Sequence, residues 1–328
     1  MSAPDEPKQS GDGVRDFGAP FNATNADIIL RSSDRVDFRA HRTNLIVASP
    51  FFETMLALPT PAQGTSEDER KDGLAVIFMS EDARTIELLL SLSYPAHYPA
   101  MPANVDIIYP AIQLARKFEM PMAANFARFG LLALAEKEPE RVYALGWLFQ
   151  SKEVIGVAAK ESLANPLVQR AGGPAYAEYA YVPATALHRL LAYQQRCLQR
   201  VSDVGAPANW LSRASLPRGL IDGEDAGQCY CSNTTTLKFM DGNVVRAKNW
   251  WLKYLQSAQV ELQKSICISV VKGYKPLHAL ISYGVTDCED CRALAVPALE
   301  ELSNLLTDHV EAVTTEELSE MFRDIAFE

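Results

Sequence analysis

The chain has 328 residues, 48% apolar and 22% charged, the composition of packed globular domains and enough for two or three of them. Its 31 Lys+Arg stand against 41 Asp+Glu, a formal charge of -10 with no basic arm, so a nucleic-acid phosphate backbone is not an expected partner. The longest apolar runs, such as Leu74 to Met79, stop far short of the about 20 residues that a membrane-spanning helix needs, and no membrane partner is expected.

Residues 1–20 carry neither a basic start nor an apolar stretch and are rich in Gly, Pro, Asp and Ser, which predicts a disordered, solvated tail and an intracellular chain, cytoplasmic or nuclear. The Asn22 and Asn233 triplets then read as chance matches to a glycan acceptor, and the 6 cysteines as thiols or metal ligands rather than disulfides. Two short strands follow, Asp27 to Ser32 and Arg35 to Ala40, turning at Ser33 and Asp34. Val36, Phe38 and Ala40 alternate with Asp37 and Arg39, the period of a half-buried hairpin. A helix is expected from Thr43 to Ala48, and Ser49-Pro50 restarts a second one, since Ser caps free amides and Pro costs nothing at the first helical position. Pro59 to Gly73 reads as a polar surface insertion. A third strand is expected at Leu74 to Met79, then helices near Asp82 to Tyr94 and Val105 to Glu119. Strands with a helical cluster make an α+β domain.

From Met122 to Ala164, and again from Ala184 to Val201, the apolar spacing is helical. Val204 to Gln228 shows little regular pattern and reads as a connection partly packed through Trp210. Beyond it, Val244 to Gln263 is predicted as a helix with Asn243 as its N-cap, and Leu294 to Ala312 as a final helix with Pro297 in its first turn or kinking it. There is no internal repeat.

The segment ADIILRSSDRVDFRAHRTNLIVASPFFETML, Ala26 to Leu56, resembles the opening of a BTB/POZ domain: an Asp entering a strand, a second strand ending in Phe-x-Ala-His, then an apolar helix closed by Ser-Pro-Phe-Phe. The ARKFEMP and PERVYALGWLF stretches further on resemble fungal, basidiomycete-type BTB proteins that continue into helices. The resemblance implies an N-terminal BTB/POZ domain at 21–130 followed by a mainly α-helical region, with a BACK-like helical extension at 131–205 and a C-terminal helical module at 206–328. It implies a non-enzymatic scaffold or adaptor with protein partners, commonly a homodimer, and it places Asp27 and Arg42 near the dimer groove and His41 as a structural histidine. Some BTB proteins recruit a cullin ubiquitin-ligase scaffold through an apolar-x-Glu motif. In the segment between Met55 and Leu74, TSEDER lacks the apolar anchor, so a cullin substrate adaptor stands as the alternative.

The chemistry concentrates in Cys229-Tyr-Cys231 and Cys288-Glu-Asp-Cys291. Each pair can present two thiolates to one side, and four thiolates suit a structural zinc with no open coordination position. Four ordinary thiols is the other reading. Cys267, His278 and His309 are substitute ligands, Lys238, Arg246 or Arg292 candidate neighbours for the thiolate charge, and Cys197 core. A thiol-dependent enzyme using the CEDC pair is the remaining alternative, although Glu289 and Asp290 beside it would raise rather than lower thiol pKa. No catalytic residue is assigned: there is no G-x-S-x-G elbow, P-loop or G-x-G-x-x-G. Trp250, Trp251 and Tyr254 share one predicted helix and read as core.

Overall fold

Three short apolar runs in the first third of the chain, flanked by two charged residue pairs, assemble into a five-stranded sheet, with strands β1 (Arg15–Asp16), β2 (Ile28–Arg31), β3 (Val36–Ala40), β4 (Arg70–Lys71) and β5 (Leu74–Phe78) in the order β1-β3-β2-β5-β4. The computed structural model describes residues 13–58, 69–169, 176–223, 234–272 and 289–327. The chain forms two units, Met1–Leu134 and Ala135–Glu328.

In the first unit β2 lies at the centre, antiparallel to β3 and parallel to β5. Ile28, Leu30, Phe38 and Ala40 are fully buried, as the alternation predicts. The hairpin is nevertheless not half-buried, because Ile29 on its other face is 1% exposed and Asp37 only 2%. That second face is closed by charge. Arg31, opposite Asp37 across the ladder, grips it with two bonds, Nε to Oδ1 at 2.6 Å and Nη2 to Oδ2 at 3.1 Å, and reaches Glu69 with Nη1 at 2.5 Å. Lys71 Nζ bridges Asp37 at 2.8 Å and Asp16 at 2.7 Å. Burial pushes the Asp37 carboxyl up, but the bonds from Arg31 and Lys71 outweigh it and hold the group below its ordinary value. The network binds the flanking strands β1 and β4 to the hairpin. The tail is accordingly shorter than the sequence suggests: Val14 is buried, β1 pairs with β3, and Phe17 stacks on Phe38 with 4.4 Å between ring centroids.

Helices α1 (Arg42–Ala48), α2 (Pro50–Ala57), α3 (Ala83–Ser93), α4 (Ile108–Lys117) and α5 (Pro121–Leu134) complete the unit. Ser49 serves two of them: its hydroxyl oxygen accepts the Phe52 amide at 3.1 Å, capping α2, while its O–H donates to the Phe118 carbonyl. The Phe52 and Phe118 rings stack with centroids 5.2 Å apart. The α5 backbone approaches Pro102 and the start of α4 at Gly130, where an added Cβ would stand 2.4 Å from Ile108 Cδ1 and 2.6 Å from Pro102 Cγ.

The second unit holds α6 (Pro139–Phe149), α7 (Lys152–Glu161) and α8 (Ala184–Val201), then a hairpin of β6 (Thr234–Lys238) and β7 (Val244–Lys248), then α9 (Asn249–Leu262), α10 (Ile268–Lys272) and α11 (Glu289–Met321). Val244 to Lys248 is therefore a strand, not the first turns of a helix, and Asn243 is not a helix cap. The reason is local: Asp241-Gly242 makes a turn with Gly242 at φ +84°, and β-branched Val244 and Val245 favour the extended pairing with Thr234–Lys238. The last helix outruns its expected end at Ala312, because Val313, Thr314, Glu317 and Met321 are buried and Glu316 and Glu317 form ion pairs with Arg196 and Arg200 of α8. The helix also starts earlier than expected, at Glu289, so Pro297 sits inside α11, beyond its first turn. Among the described residues no helix is long and apolar enough to cross a membrane.

Two outcomes follow from this packing. Asp37→Asn leaves the buried Arg31 guanidinium with Glu69 as its one remaining carboxylate among the described residues, which costs about 1–3 kcal/mol in denaturant unfolding. Because the folded carboxyl sits below the unfolded value of about 3.9, its contribution is complete above that pH and lost as pH falls through the folded pKa, so acid unfolding becomes shallower in the variant. Gly130→Ala forces Ile108 and Pro102 apart and lowers stability by about 1–3 kcal/mol, read from the same denaturation midpoint.

Candidate interaction surface

The strand pairing that centres β2 also brings its entry residue to the start of α1. The Asp27 amide donates to the Ala40 carbonyl at 3.1 Å, which sets its side chain beside the first helical turn. Asp27 Oδ1 then accepts the Arg42 amide at 2.8 Å. His41, the residue at the N-cap position, makes no side-chain cap bond, so Asp27 supplies from another strand what a local Ser or Asp usually supplies. Arg42 extends the link, its Nη2 donating to the Leu56 carbonyl at 3.0 Å near the end of α2.

His41 is half-buried and turned to Tyr94: its amide donates to the phenol oxygen at 2.8 Å and its Nδ1 lies 3.0 Å from the same oxygen. Burial is the main reason the Tyr94 phenol is held above its ordinary pKa, so it stays neutral and keeps its O–H at physiological pH. Tyr94 is the C-cap of α3. The cluster Asp27, His41, Arg42 and Tyr94 thus locks α1 to β2, α2 and α3. Sequence reasoning named the first three; Tyr94, 53 positions from His41, carries no local signal.

Held in this way, α1 presents an open groove of about 580 Å³ lined by Asn44, Val47 and Ala48 from α1, Leu92, Ser93, Pro95 and Tyr98 at and after the end of α3, and Met122 at the start of α5. Val47 is 83% exposed, Tyr98 42% and Met122 41%. Val47 thus stands in water beside other exposed apolar side chains on one rim of the groove.

Residues 18–129 match the BTB/POZ domain family. This part of the chain is a BTB/POZ domain. No curated protein matches the chain. A BTB/POZ domain is an interaction module, and the α+β unit followed by a mostly helical region is the architecture the sequence implies.

The cysteine pairs lie elsewhere. Cys229, Cys231 and Cys288 are outside the described residues, as is His278, and of Cys291 only the backbone is described, in the first turn of α11. Among the described residues no group of three or more His, Cys, Asp or Glu is arranged to hold a metal. Cys197 is buried on α8, and that burial pushes its thiol up to about 12, which makes it inert core. Cys267 borders a cleft of about 500 Å³ with Lys160 and Glu311. His309 stacks on Trp210, ring centroids 4.8 Å apart, and burial, with Arg200 nearby, holds it below its ordinary pKa. Trp250, Trp251 and Tyr254 are buried, and Trp251 Nε1 donates to the Leu220 carbonyl at 2.9 Å.

Removing the cross-strand cap tests the arrangement. Asp27→Ala leaves the Arg42 amide to water and lowers stability by about 1 kcal/mol, and hydrogen exchange at the first turn of α1 accelerates while that of α4 and α5 is unchanged.

Proposed function

We propose that the protein is a non-enzymatic interaction scaffold whose BTB/POZ domain pairs with a second copy through the α1 groove. The observation that carries this reading is Val47 at 83% exposure on the rim of that groove. Covering a valine side chain is worth about 1.5–3 kcal/mol, and a two-fold pairing does so twice, since each copy offers the same surface. Asp27 and Arg42 act by holding α1 in place. The resemblance of Ala26 to Leu56 to the family supports a homodimer, and the absence of a catalytic motif in the sequence supports a scaffold over an enzyme.

A substrate adaptor for a cullin-type ubiquitin ligase is the alternative within the same family. Most of the segment in which its motif is expected, 59–68, falls outside the described residues, and TSEDER offers no apolar anchor. The structural zinc rests on the spacing of Cys229, Cys231, Cys288 and Cys291 alone. Metal analysis of the purified chain reads it directly, with about one zinc per chain expected and metal-free protein of unchanged melting contradicting it.

Light scattering across a concentration series tests the pairing. The full chain is expected to move from monomer to dimer mass in the micromolar range, and Val47→Glu, a surface change that leaves the core untouched, is expected to hold it at monomer mass with an unchanged melting temperature. A full chain that stays monomeric at high micromolar concentration, or a Val47→Glu variant that dimerises as well as the parent, overturns the reading.

A further inference from the structure

Among the described residues, the β6–β7 hairpin of the second unit has one covered edge and one uncovered one. On the β7 side, the Asp222 amide donates to the Arg246 carbonyl at 2.8 Å and the Lys248 amide to the Leu220 carbonyl at 3.0 Å, so Leu220 to Asp222 cover that edge. In the antiparallel register Thr236 faces Arg246 and Lys238 faces Val244. The Phe239 amide donates to Asn243, which puts the bonded pairs at odd positions of β6 and turns the main-chain groups of Thr236 and Lys238 away from β7. Among the described residues those groups have no partner, and both residues are exposed.

Such an edge is a template for another strand. Its chemistry is selective. Lys238 has no ion-pair partner among the described residues. Beside it on the outward face stand Arg246, 64% exposed in its side chain and 3.4 Å from Asp222, and Val244, 60% exposed. In a chain of net charge -10 this leaves one unpaired cation among the described residues of the hairpin, Lys238, on the uncovered edge, while Arg246 is held by Asp222. Lysine on an edge discourages pairing with a like strand, but it attracts a strand carrying carboxylates.

We propose that β6 is a docking edge for an extended acidic segment of a partner protein, which adds a strand beside Thr234–Lys238 with a carboxylate at Lys238 and an aliphatic side chain over Val244. Main-chain bonds at Thr236 and Lys238 supply the attachment, and the unpaired Lys238 ammonium supplies the preference for acid. This edge belongs to the second unit and Val47 to the first, so Val47→Glu changes no residue of it.

The probe is a fluorescein-labelled peptide of alternating Glu and Val, with its Lys/Val counterpart as control, titrated with the full chain and read by anisotropy and by hydrogen exchange. Expected are saturable binding of the acidic peptide, little binding of the basic one, and slower exchange at the Thr236 and Lys238 amides. Thr236→Pro removes an outward-facing N–H that β7 does not use and is expected to weaken binding about tenfold, as the loss of one or two main-chain bonds does. Should that change disturb the hairpin, Lys238→Glu keeps the edge and is expected to weaken the acidic peptide while improving the basic one. Absence of saturable binding, equal binding of the two peptides, or binding without protection at Thr236 and Lys238 overturns the proposal.

Discussion

The buried pair of Arg31 and Asp37 is the constraint from which the first unit is built. Two charges at 7% and 1% side-chain exposure are tolerable only if their bonds are met, because desolvation otherwise exceeds the attraction between them. Here each oxygen of Asp37 is matched, one by Arg31 Nε and the other by Arg31 Nη2 and Lys71. Meeting that demand fixes the register of β2 on β3, since a slip of one residue would send Asp37 to the apolar face. It also recruits Glu69 and Lys71 at the outer strand β4 and, through Lys71, Asp16 of β1.

Register then determines the surface. With Ile28 opposite Ala40, Asp27 stands beside Arg42 and caps α1, and His41 meets Tyr94. A short helix of seven residues has little stability of its own, so its orientation comes from these bonds and from Leu45, which is fully buried. Val47, two positions on, is left in water. The exposed apolar rim is therefore a product of the same geometry that buries the charges, and a rigid frame lowers the entropic cost of pairing on it.

Much of this was legible in the sequence. The order of features from Ala26 to Leu56 carried the BTB/POZ resemblance, and Ser49-Pro50 announced the start of α2 because capping is a local property. What was not legible is long-range. Asp37 reads as the polar half of an alternating strand, and nothing within its neighbourhood says that Arg31 and Lys71 will close over it. Tyr94 is invisible as a partner of His41 for the same reason. Val244 to Lys248 misled differently: Ala247, Trp251 and Leu255 fit a helical stripe, yet Ala247 belongs to a strand and Trp251 to a helix, and the Asp241-Gly242 turn with its β-branched flank was the stronger signal. The tail cysteines, Cys229, Cys231 and Cys288, fall outside the described residues, so their spacing stands as a sequence observation.

The proposed role of α1 is that of a preorganised pairing surface acting through its apolar rim. Methyl NMR of the full chain, labelled at valine and methionine, tests it most directly. As concentration rises through the micromolar range, the account requires the Val47 and Met122 methyl signals to shift or broaden together, while those of buried Val36 and Val105 hold their positions. Val47 and Met122 signals that stay fixed across the series, with the chain remaining monomeric, would contradict it.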